Sequence, residues 1–249
     1  MRLRTLLLLL ATATLVSCCG ERYVSYTDTF DAGDVTLFYA AEGTGRPVIL
    51  LHGNGGSHND METTTRQLAQ AGYMVYALDS RGQGANAPLA EYHYHDMATD
   101  LHEFITAKGL KRPAVFGFSD GGIVALMTEV MYPGSLGAIA TGGANTFVRG
   151  SLVPEFEAEF FAQTNPNPLN IMMLNEPTMT AEDMQTISCP ALILSGDSDL
   201  IRPEHTQLIG ESIPSGEWMI VPNADHGSYI YHSPRIGHLL LDFFERIGY

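Results

Sequence analysis

Basic residues are scarce in this sequence. Lysine and arginine together number 13 of 249 residues, against 28 aspartates and glutamates, so the formal charge is −15 at pH 7. Proteins that bind nucleic acids or anionic lipid surfaces do so largely through lysine and arginine. The charge balance therefore argues against a nucleic-acid partner and against electrostatic binding to a membrane. It leaves the charge of a small substrate open.

Cysteine is also rare, with three residues in the chain. Three cysteines do not form a disulfide framework. Cys189 precedes Pro190 at the start of an apolar stretch, which favours a buried, small hydrophobic side chain without chemistry of its own. The other two, Cys18 and Cys19, lie close to the N-terminus.

The first nineteen residues have the features of a targeting signal. Arg2 and Arg4 precede an apolar run, Leu6–Val16, which is too short to span a bilayer comfortably. The next residues, L-V-S-C ending at Cys18, resemble a bacterial lipobox, in which the peptide is cut before the cysteine and the cysteine carries the lipid. We therefore expect residues 1–19 to hold the signal and the anchor site, with an ordinary secretory signal as the alternative.

The same resemblance implies a place in the bacterial cell envelope. No aspartate follows Cys18 directly, which favours the outer membrane by the sorting rule for such lipoproteins. With an ordinary secretory signal the protein would be periplasmic or secreted. In either case a membrane would be reached only through the lipid anchor.

Apolar stretches typical of strands alternate with helical patterns along the rest of the chain. Continuous apolar runs such as Pro47–Leu51 indicate strands that are buried on both faces. Tyr23–Phe30 and Val35–Ala41 instead alternate in polarity and predict an antiparallel pair. The pattern predicts one α/β domain over residues 20–249, with a doubly wound, mostly parallel sheet.

One segment, residues 145–187, interrupts this alternation. It is rich in phenylalanine, methionine, asparagine and proline, with short helical patterns such as Pro154–Gln163 and Ala181–Thr186. About forty residues is too long for an ordinary connection, so we interpret the segment as a small lid insertion. Its apolar side chains would either line a substrate pocket or pack the lid onto the body.

The most informative motif is G-F-S-D-G-G at residues 117–122, between an apolar strand and a helix. This is the context of a G-x-S-x-G nucleophile elbow, which strains the backbone of its serine, here Ser119. A side chain at Gly117 or Gly121 would collide across the turn. Serine is a poor nucleophile on its own and needs a base that is oriented by a carboxylate.

Two later loops offer that base and that carboxylate. His226 follows the last predicted strand and is the expected base. Asp197 and Asp199 both follow an earlier strand, and each is a candidate acid. The chain order of serine, acid and histidine is the order found in one fold that carries such elbows.

These features resemble the α/β-hydrolase superfamily over essentially all of the chain after residue 34. Members carry G-x-x-D-x-x-x-P after the acid strand, a pattern that Gly196, Asp199 and Pro203 match. The resemblance implies Asp199 as the acid and leaves Asp197 to cap the turn or bind backbone amides.

A second part of the resemblance concerns the oxyanion hole, the pair of N–H groups that stabilises a developing negative charge. The loop H-G-N-G-G-S at residues 52–57 resembles the H-G-x-x-G loop of the family. The resemblance implies that the backbone N–H groups of Asn54 and Asp120 form the hole and that His52 supports the loop. The turn D-S-R-G-Q-G at residues 79–84 resembles another family turn, in which Arg81 ties loops together.

The carboxylate of Asp120 has two interpretations. Near the pocket it would favour a cationic group on the substrate, such as a free α-amino group, and oppose anionic ones. Alternatively, it caps the elbow helix, where a negative charge in the first turn is favourable.

The sequence therefore predicts a serine hydrolase that cleaves a small-molecule carboxylic ester through an acyl-enzyme. An aminopeptidase or amide hydrolase of the same fold is the near alternative, and perhydrolase or carbon–carbon bond hydrolase activity stays open. A non-catalytic, lipid-anchored binding module is the alternative from another class.

No cofactor or metal is implied, since His93 and His95 lie at a helix entry, where side chains two residues apart diverge. The oligomeric state is not indicated.

Overall fold

The computed structural model describes residues 23–249, so the predicted signal and Cys18 lie outside the described residues. Within that range the strands are β1 Val24–Asp31, β2 Thr36–Gly43, β3 Arg46–Leu51, β4 Tyr73–Leu78, β5 Ala114–Phe118, β6 Ala138–Gly142, β7 Ala191–Ser198 and β8 Gly216–Asp225. The helices are α1 Glu62–Gln70, α2 Tyr94–Ala107, α3 Asp120–Met131, α4 Pro154–Phe161, α5 Pro168–Asn175, α6 Ala181–Gln185, α7 Pro203–Ser212 and α8 Arg235–Ile247.

The strands form one sheet in the order β1-β2-β4-β3-β5-β6-β7-β8. Strand β2 pairs antiparallel with β1 and β4, and the other neighbours pair parallel. This confirms the predicted doubly wound, mostly parallel sheet. The chain leaves β3 for β4 on one side and then passes to β5 on the other, so the loops after β3 and β5 diverge. Such a switch point leaves a crevice at the carboxyl ends of the strands.

The central strands are buried on both faces, as their continuous apolar runs predict. In β3, Val48 and Leu50 pack in the layer formed with α1 and α8. Ile49 and Leu51 pack on the opposite face, in the layer formed with α2 and α3. Each such side chain contributes about 1.5–3 kcal/mol of burial free energy, so the two layers fix the position of the sheet whose carboxyl edge forms the crevice.

The connection from β3 to α1 contains a 3₁₀ turn, His58–Met61, directly before the helix. Ser57 and Asp60 form a capping box at the start of this turn, which is the signal that marks a helix N-terminus in a sequence.

The insertion at residues 145–187 contains α4, α5 and α6. Sequence patterns indicated the first and the last, and α5 was not predicted. Its N-cap is Asn167, whose side chain accepts a hydrogen bond from the Asn170 N–H at 2.8 Å, and Pro168 is its first residue. Asparagine and proline in these positions start a helix, although the same residues are also typical of loops.

The insertion packs on the body through a small apolar cluster. Leu152 and Phe160 from the insertion contact Ile201, which follows β7. Leu152 and Ile201 also form an isolated antiparallel bridge. The insertion therefore lies over the carboxyl ends of the strands, beside the crevice.

Candidate active site

Ser119 lies in the tight turn between β5 and α3, at the switch point of the sheet. Its backbone is strained, with φ 51° and ψ −116°, and its N–H donates to the Gly142 carbonyl at 2.7 Å. A Cβ on Gly117 would overlap the carbonyl of Gly121, which is the collision that the elbow motif predicts. The glycines thus allow a conformation that directs the Ser119 hydroxyl out of the sheet.

The structure brings Ser119, His226 and Asp199 together from three separate loops. His226 Nε2 lies 3.1 Å from Ser119 Oγ, and His226 Nδ1 lies 2.6 Å from Asp199 Oδ1. Because the carboxylate can only accept, it selects the tautomer in which Nδ1 carries the proton. Nε2 is then free to take a proton from the serine hydroxyl.

Asp199 is held in place by backbone groups as well as by the histidine. It accepts hydrogen bonds from the N–H groups of Ile201 at 3.0 Å and Gly196 at 3.1 Å, and its side chain has no exposed surface. Asp197, the other candidate acid, instead accepts from the N–H groups of Asn223 and Ala224 at 2.7 and 3.0 Å. These backbone hydrogen bonds lower the pKa of Asp197.

Gly143 leaves the space that the His226 ring occupies. It has φ +65°, and a Cβ there would lie 2.6 Å from His226 Cε1. On its other side the ring lies against Phe118, with centroids 5.0 Å apart. The sequence does not indicate this role of Gly143, because nothing in its local pattern refers to a histidine 83 positions away.

The loop at residues 52–57 lies directly against the nucleophile. A Cβ on Gly53 would lie 2.9 Å from the Phe118 ring and 3.2 Å from Ser119 Cβ, so the chain passes Ser119 in close contact just before Asn54. Asp120 is the first residue of α3, where the N–H has no acceptor within the helix. Both amides implied for the oxyanion hole therefore lie beside Ser119.

Both ring nitrogens of His52 form hydrogen bonds that hold this loop in place. Its Nδ1 hydrogen-bonds to the Gly53 carbonyl at 2.7 Å, and its Nε2 accepts from the Ser80 N–H at 3.0 Å. Burial lowers the pKa of His52, which favours the neutral ring that these two contacts require.

The Asp120 side chain is buried in the wall of the crevice, with 3% of its surface exposed. It accepts hydrogen bonds from Asn54 Nδ2 at 2.9 Å and from the Tyr94 hydroxyl at 2.8 Å. It thus bonds to two side chains that border the crevice, whereas a helix cap would bond to backbone N–H groups. Burial raises the pKa of Asp120, because the two hydrogen bonds only partly replace the lost water.

A narrow cavity of about 50 Å³ contains Ser119, Asp120 and His226 in its wall. Most of its remaining wall is apolar and comes from the insertion and the loop after β7: Val148, Leu152, Phe156, Phe160, Met173, Leu200 and Ile201. Among the phenylalanines and methionines of the insertion, Phe156, Phe160 and Met173 line the cavity. Ile171 is exposed, and Met172 is buried in the main core.

Three polar residues of this cavity were not predicted from the sequence: Tyr94, Asn145 and Glu176. Tyr94 is the first residue of α2 and Glu176 directly follows α5, and no motif marks either residue. His93 contacts Glu176, with His93 Nδ1 2.6 Å from Glu176 Oε1, and this hydrogen bond raises the pKa of His93.

Residues 23–249 hold no group of three or more histidine, cysteine, aspartate or glutamate side chains that could bind a metal ion. No helix in that part of the chain is long and apolar enough to cross a membrane. Cys189 is buried there as a free thiol, and burial raises its pKa to about 12, so it stays protonated and unreactive.

An eight-stranded, mostly parallel sheet with a nucleophile elbow at its switch point defines the α/β-hydrolase class. The family described as alpha/beta hydrolase fold matches residues 46–167 of this chain. The chain belongs to the α/β-hydrolase superfamily, which confirms the resemblance seen in the sequence.

Individual relatives agree with this placement. The human serine hydrolase BPHL is 25% identical over 244 residues, covering 85% of this chain and 84% of that protein. A putative non-heme chloroperoxidase of Synechocystis sp. is 25% identical over 278 residues, covering 86% of this chain and 97% of its own. The crystal structure of the serine hydrolase CarC, involved in carbazole degradation, matches with a TM-score of 0.72 at 22% identity, covering 90% and 99% of the two chains. These relatives support a hydrolase of this fold.

Proposed function

We propose that the protein is a serine hydrolase that cleaves a small-molecule carboxylic ester through an acyl-enzyme. The observation that carries the proposal is the continuous hydrogen-bond chain from Ser119 through His226 to Asp199. A protein that used this fold only to bind a ligand would not require a strained serine aligned with a histidine and a buried carboxylate.

In this mechanism Ser119 Oγ attacks the ester carbonyl while His226 Nε2 takes the hydroxyl proton. Asp199 stabilises the imidazolium that forms, and the N–H groups of Asn54 and Asp120 bind the oxyanion. His226 returns the proton to the leaving alcohol as the carbon–oxygen bond breaks. Water, deprotonated by the same nitrogen, then attacks the acyl-enzyme and releases the carboxylic acid and Ser119.

The shape of the cavity supports esters with small groups over peptides. The space beside Ser119 is narrow and mostly apolar, and it lies under the insertion. An extended peptide needs a longer groove with backbone partners on both sides of the scissile bond. An amide hydrolase that acts on small amides stays the near alternative.

The test is hydrolysis of a substrate panel by the purified protein. The panel contains p-nitrophenyl esters of different chain lengths, amino-acid esters and p-nitroanilides, and Ser119→Ala is the control. We expect ester turnover that Ser119→Ala abolishes, with slower or no anilide turnover. Turnover that persists in Ser119→Ala, or no turnover of any substrate, would contradict the proposal. Faster anilide than ester turnover would instead support the amide hydrolase.

A further inference from the structure

Three cavities meet at Glu176, the residue that follows α5 in the insertion. It lines the narrow cavity of about 50 Å³ that contains Ser119. It also lines two larger surface cavities of about 410 and 490 Å³, which His93 borders as well. The Glu176 side chain therefore lies at the junction between the space beside the nucleophile and much larger spaces outside it.

Hydrogen bonds at both carboxylate oxygens hold this side chain at the junction. Glu176 Oε1 contacts His93 Nδ1 at 2.6 Å, and Oε2 accepts from the Tyr94 N–H at 3.0 Å. The side chain is 27% exposed, so most of its surface contacts protein. Tyr94 in turn donates its hydroxyl to Asp120, which connects the junction to the wall beside Ser119.

The space inside Glu176 has a mostly apolar wall, and the two cavities outside it combine apolar with polar side chains. On the inner side lie Phe156, Phe160 and Met173. On the outer side the two surface cavities are lined in part by Pro168, Ile171, Met127, Met131 and Pro177. A hydrocarbon chain that extended from Ser119 along the inner wall would be favourable on either side of Glu176 but would meet the carboxylate between them. Displacing that carboxylate would break both of its hydrogen bonds.

We propose that Glu176 is a specificity-determining residue that limits the length of the substrate's apolar chain by closing the inner cavity at this junction. The inference rests on the proposed ester hydrolysis. It implies that the natural substrate carries a short chain on this side of the scissile bond. A smaller side chain at position 176 would join the inner cavity to the outer ones and admit longer chains.

Shortening Glu176 leaves the main attachments of this part of the insertion in place. Met172 of α5 and Met179 are both buried in the main core. The first part of the insertion is tied to the loop after β7 by separate hydrogen bonds, from Arg202 Nε to the Leu152 carbonyl at 2.6 Å and from the Val153 N–H to the Leu200 carbonyl at 2.8 Å.

The experiment compares chain-length profiles of the full chain and three variants. Glu176→Ala opens the junction. Glu176→Gln keeps the size of the side chain and both contacts when its amide oxygen accepts from the Tyr94 N–H and its amide nitrogen donates to Nδ1 of neutral His93. Glu159→Ala is the matched control, because Glu159 is an exposed carboxylate of the same insertion that lines none of the three cavities. One substrate series lengthens the acyl chain of p-nitrophenyl esters, and a second lengthens the alcohol of acetate esters.

We expect Glu176→Ala to raise the ratio of kcat/KM for the eight-carbon over the two-carbon substrate roughly tenfold or more in one series, since each buried methylene is worth about fourfold. Glu176→Gln and Glu159→Ala should keep the wild-type ratio. The series that responds identifies the side of the ester that faces Glu176.

An unchanged ratio in both series for a folded Glu176→Ala, or an equal shift in Glu176→Gln, would overturn the inference. Thermal melting reports folding, and Glu176→Ser serves as the shortened variant if Glu176→Ala does not fold. Wild-type protein that hydrolyses no ester would overturn the proposed function itself, which is a different result from turnover with an unchanged profile.

Discussion

At the scale of single residues, the absence of a side chain at Gly143 is as important to the proposed mechanism as the side chains of Ser119, His226 and Asp199. The His226 ring fills the space where a Cβ at position 143 would be, with 2.6 Å between that position and Cε1. The ring must keep its place within a few tenths of an ångström to bond to both Ser119 and Asp199. A displacement of about 1 Å in a reacting group can lower the rate roughly 100-fold.

We therefore predict that Gly143→Ala lowers kcat/KM by about 100-fold or more. Steady-state hydrolysis of a p-nitrophenyl ester measures the loss. Gly150→Ala is the matched control, because Gly150 also has positive φ, at +87°, but a Cβ there would meet no atom within 4 Å beyond its chain neighbours. An equal loss in both variants would show that backbone strain, and not the space for His226, is responsible.

The second prediction at the residue scale concerns the negative charge of Asp120. Asn at position 120 keeps the shape and the hydrogen bond from Tyr94, and a flip of the Asn54 amide restores the other. If the carboxylate attracts a cationic group, Asp120→Asn should lower kcat/KM for amino-acid esters roughly tenfold more than for neutral esters of equal size. The ratio of the two kcat/KM values is the measurement. Equal effects on both substrates would contradict a role for Asp120 in charge selection.

Some candidate site residues could be predicted from the sequence and others could not, because only the former have a local motif or a position at a strand end. Ser119 carries a local motif, and His226 and Asp199 each follow a strand whose end lies at the same edge of the sheet. Tyr94 and Glu176 have no such marker, since their contacts join α2 to the end of α5, 82 positions apart. Such contacts depend on how the insertion packs, which no local pattern encodes.

At the scale of elements, the loop after β4 is fastened to α2 by a buried ion pair. Arg81 donates from Nε and Nη2 to the two carboxylate oxygens of Asp100, at 2.8 and 2.7 Å, and both side chains are more than nine-tenths buried. The pair fixes the turn at residues 79–84, next to the loop that borders Ser119. The family resemblance implied this tie for Arg81, but the partner on α2 was not predicted.

We predict that Arg81→Leu destabilises the protein by about 3–5 kcal/mol at pH 7, because it leaves Asp100 buried without a partner. Arg66→Leu, which removes an exposed pair with Glu62, should change stability by about 0.5 kcal/mol or less. Urea unfolding monitored by circular dichroism compares the two variants. A loss for Arg81→Leu as small as that for Arg66→Leu would contradict the structural role of the pair.

The Arg81→Leu defect should also depend on pH. Burial raises the pKa of Asp100 above its ordinary value, so the folded state binds a proton at this site more readily than the unfolded state. Arg81 opposes this rise, so its loss raises the pKa of Asp100 further, and the variant gains more stability than the wild type as pH falls. The difference between wild type and Arg81→Leu should therefore shrink as pH is lowered from 7, and a difference that widens would contradict the assignment.

At the scale of the whole molecule, sequence patterns were most informative about the fold. Alternating strands and helices predicted the class of sheet, because burial on both faces leaves continuous apolar runs in β3 and β4. The order of strands did not follow from those runs, since each is compatible with several neighbours. The family resemblance added candidate active-site residues, which periodicity does not indicate.

At the scale of the whole molecule, we also predict that a lipid anchor attaches the protein to the bacterial cell envelope. If Cys18 carries the lipid, full-length protein expressed in a bacterium should incorporate labelled palmitate, and Cys18→Ala should not. Cys19→Ala is the control and should keep the label. An unlabelled protein released into the periplasm or medium would instead support an ordinary secretory signal.

Covalent reaction of the protein with a fluorophosphonate, followed by peptide mapping, tests directly whether Ser119 is an activated nucleophile. We predict one adduct on Ser119, absent from Ser119→Ala and formed far more slowly in His226→Ala, because the serine is nucleophilic only when the histidine takes its proton. A protein that stays unmodified, or that is modified at another residue, would contradict the assignment of Ser119 as an activated nucleophile.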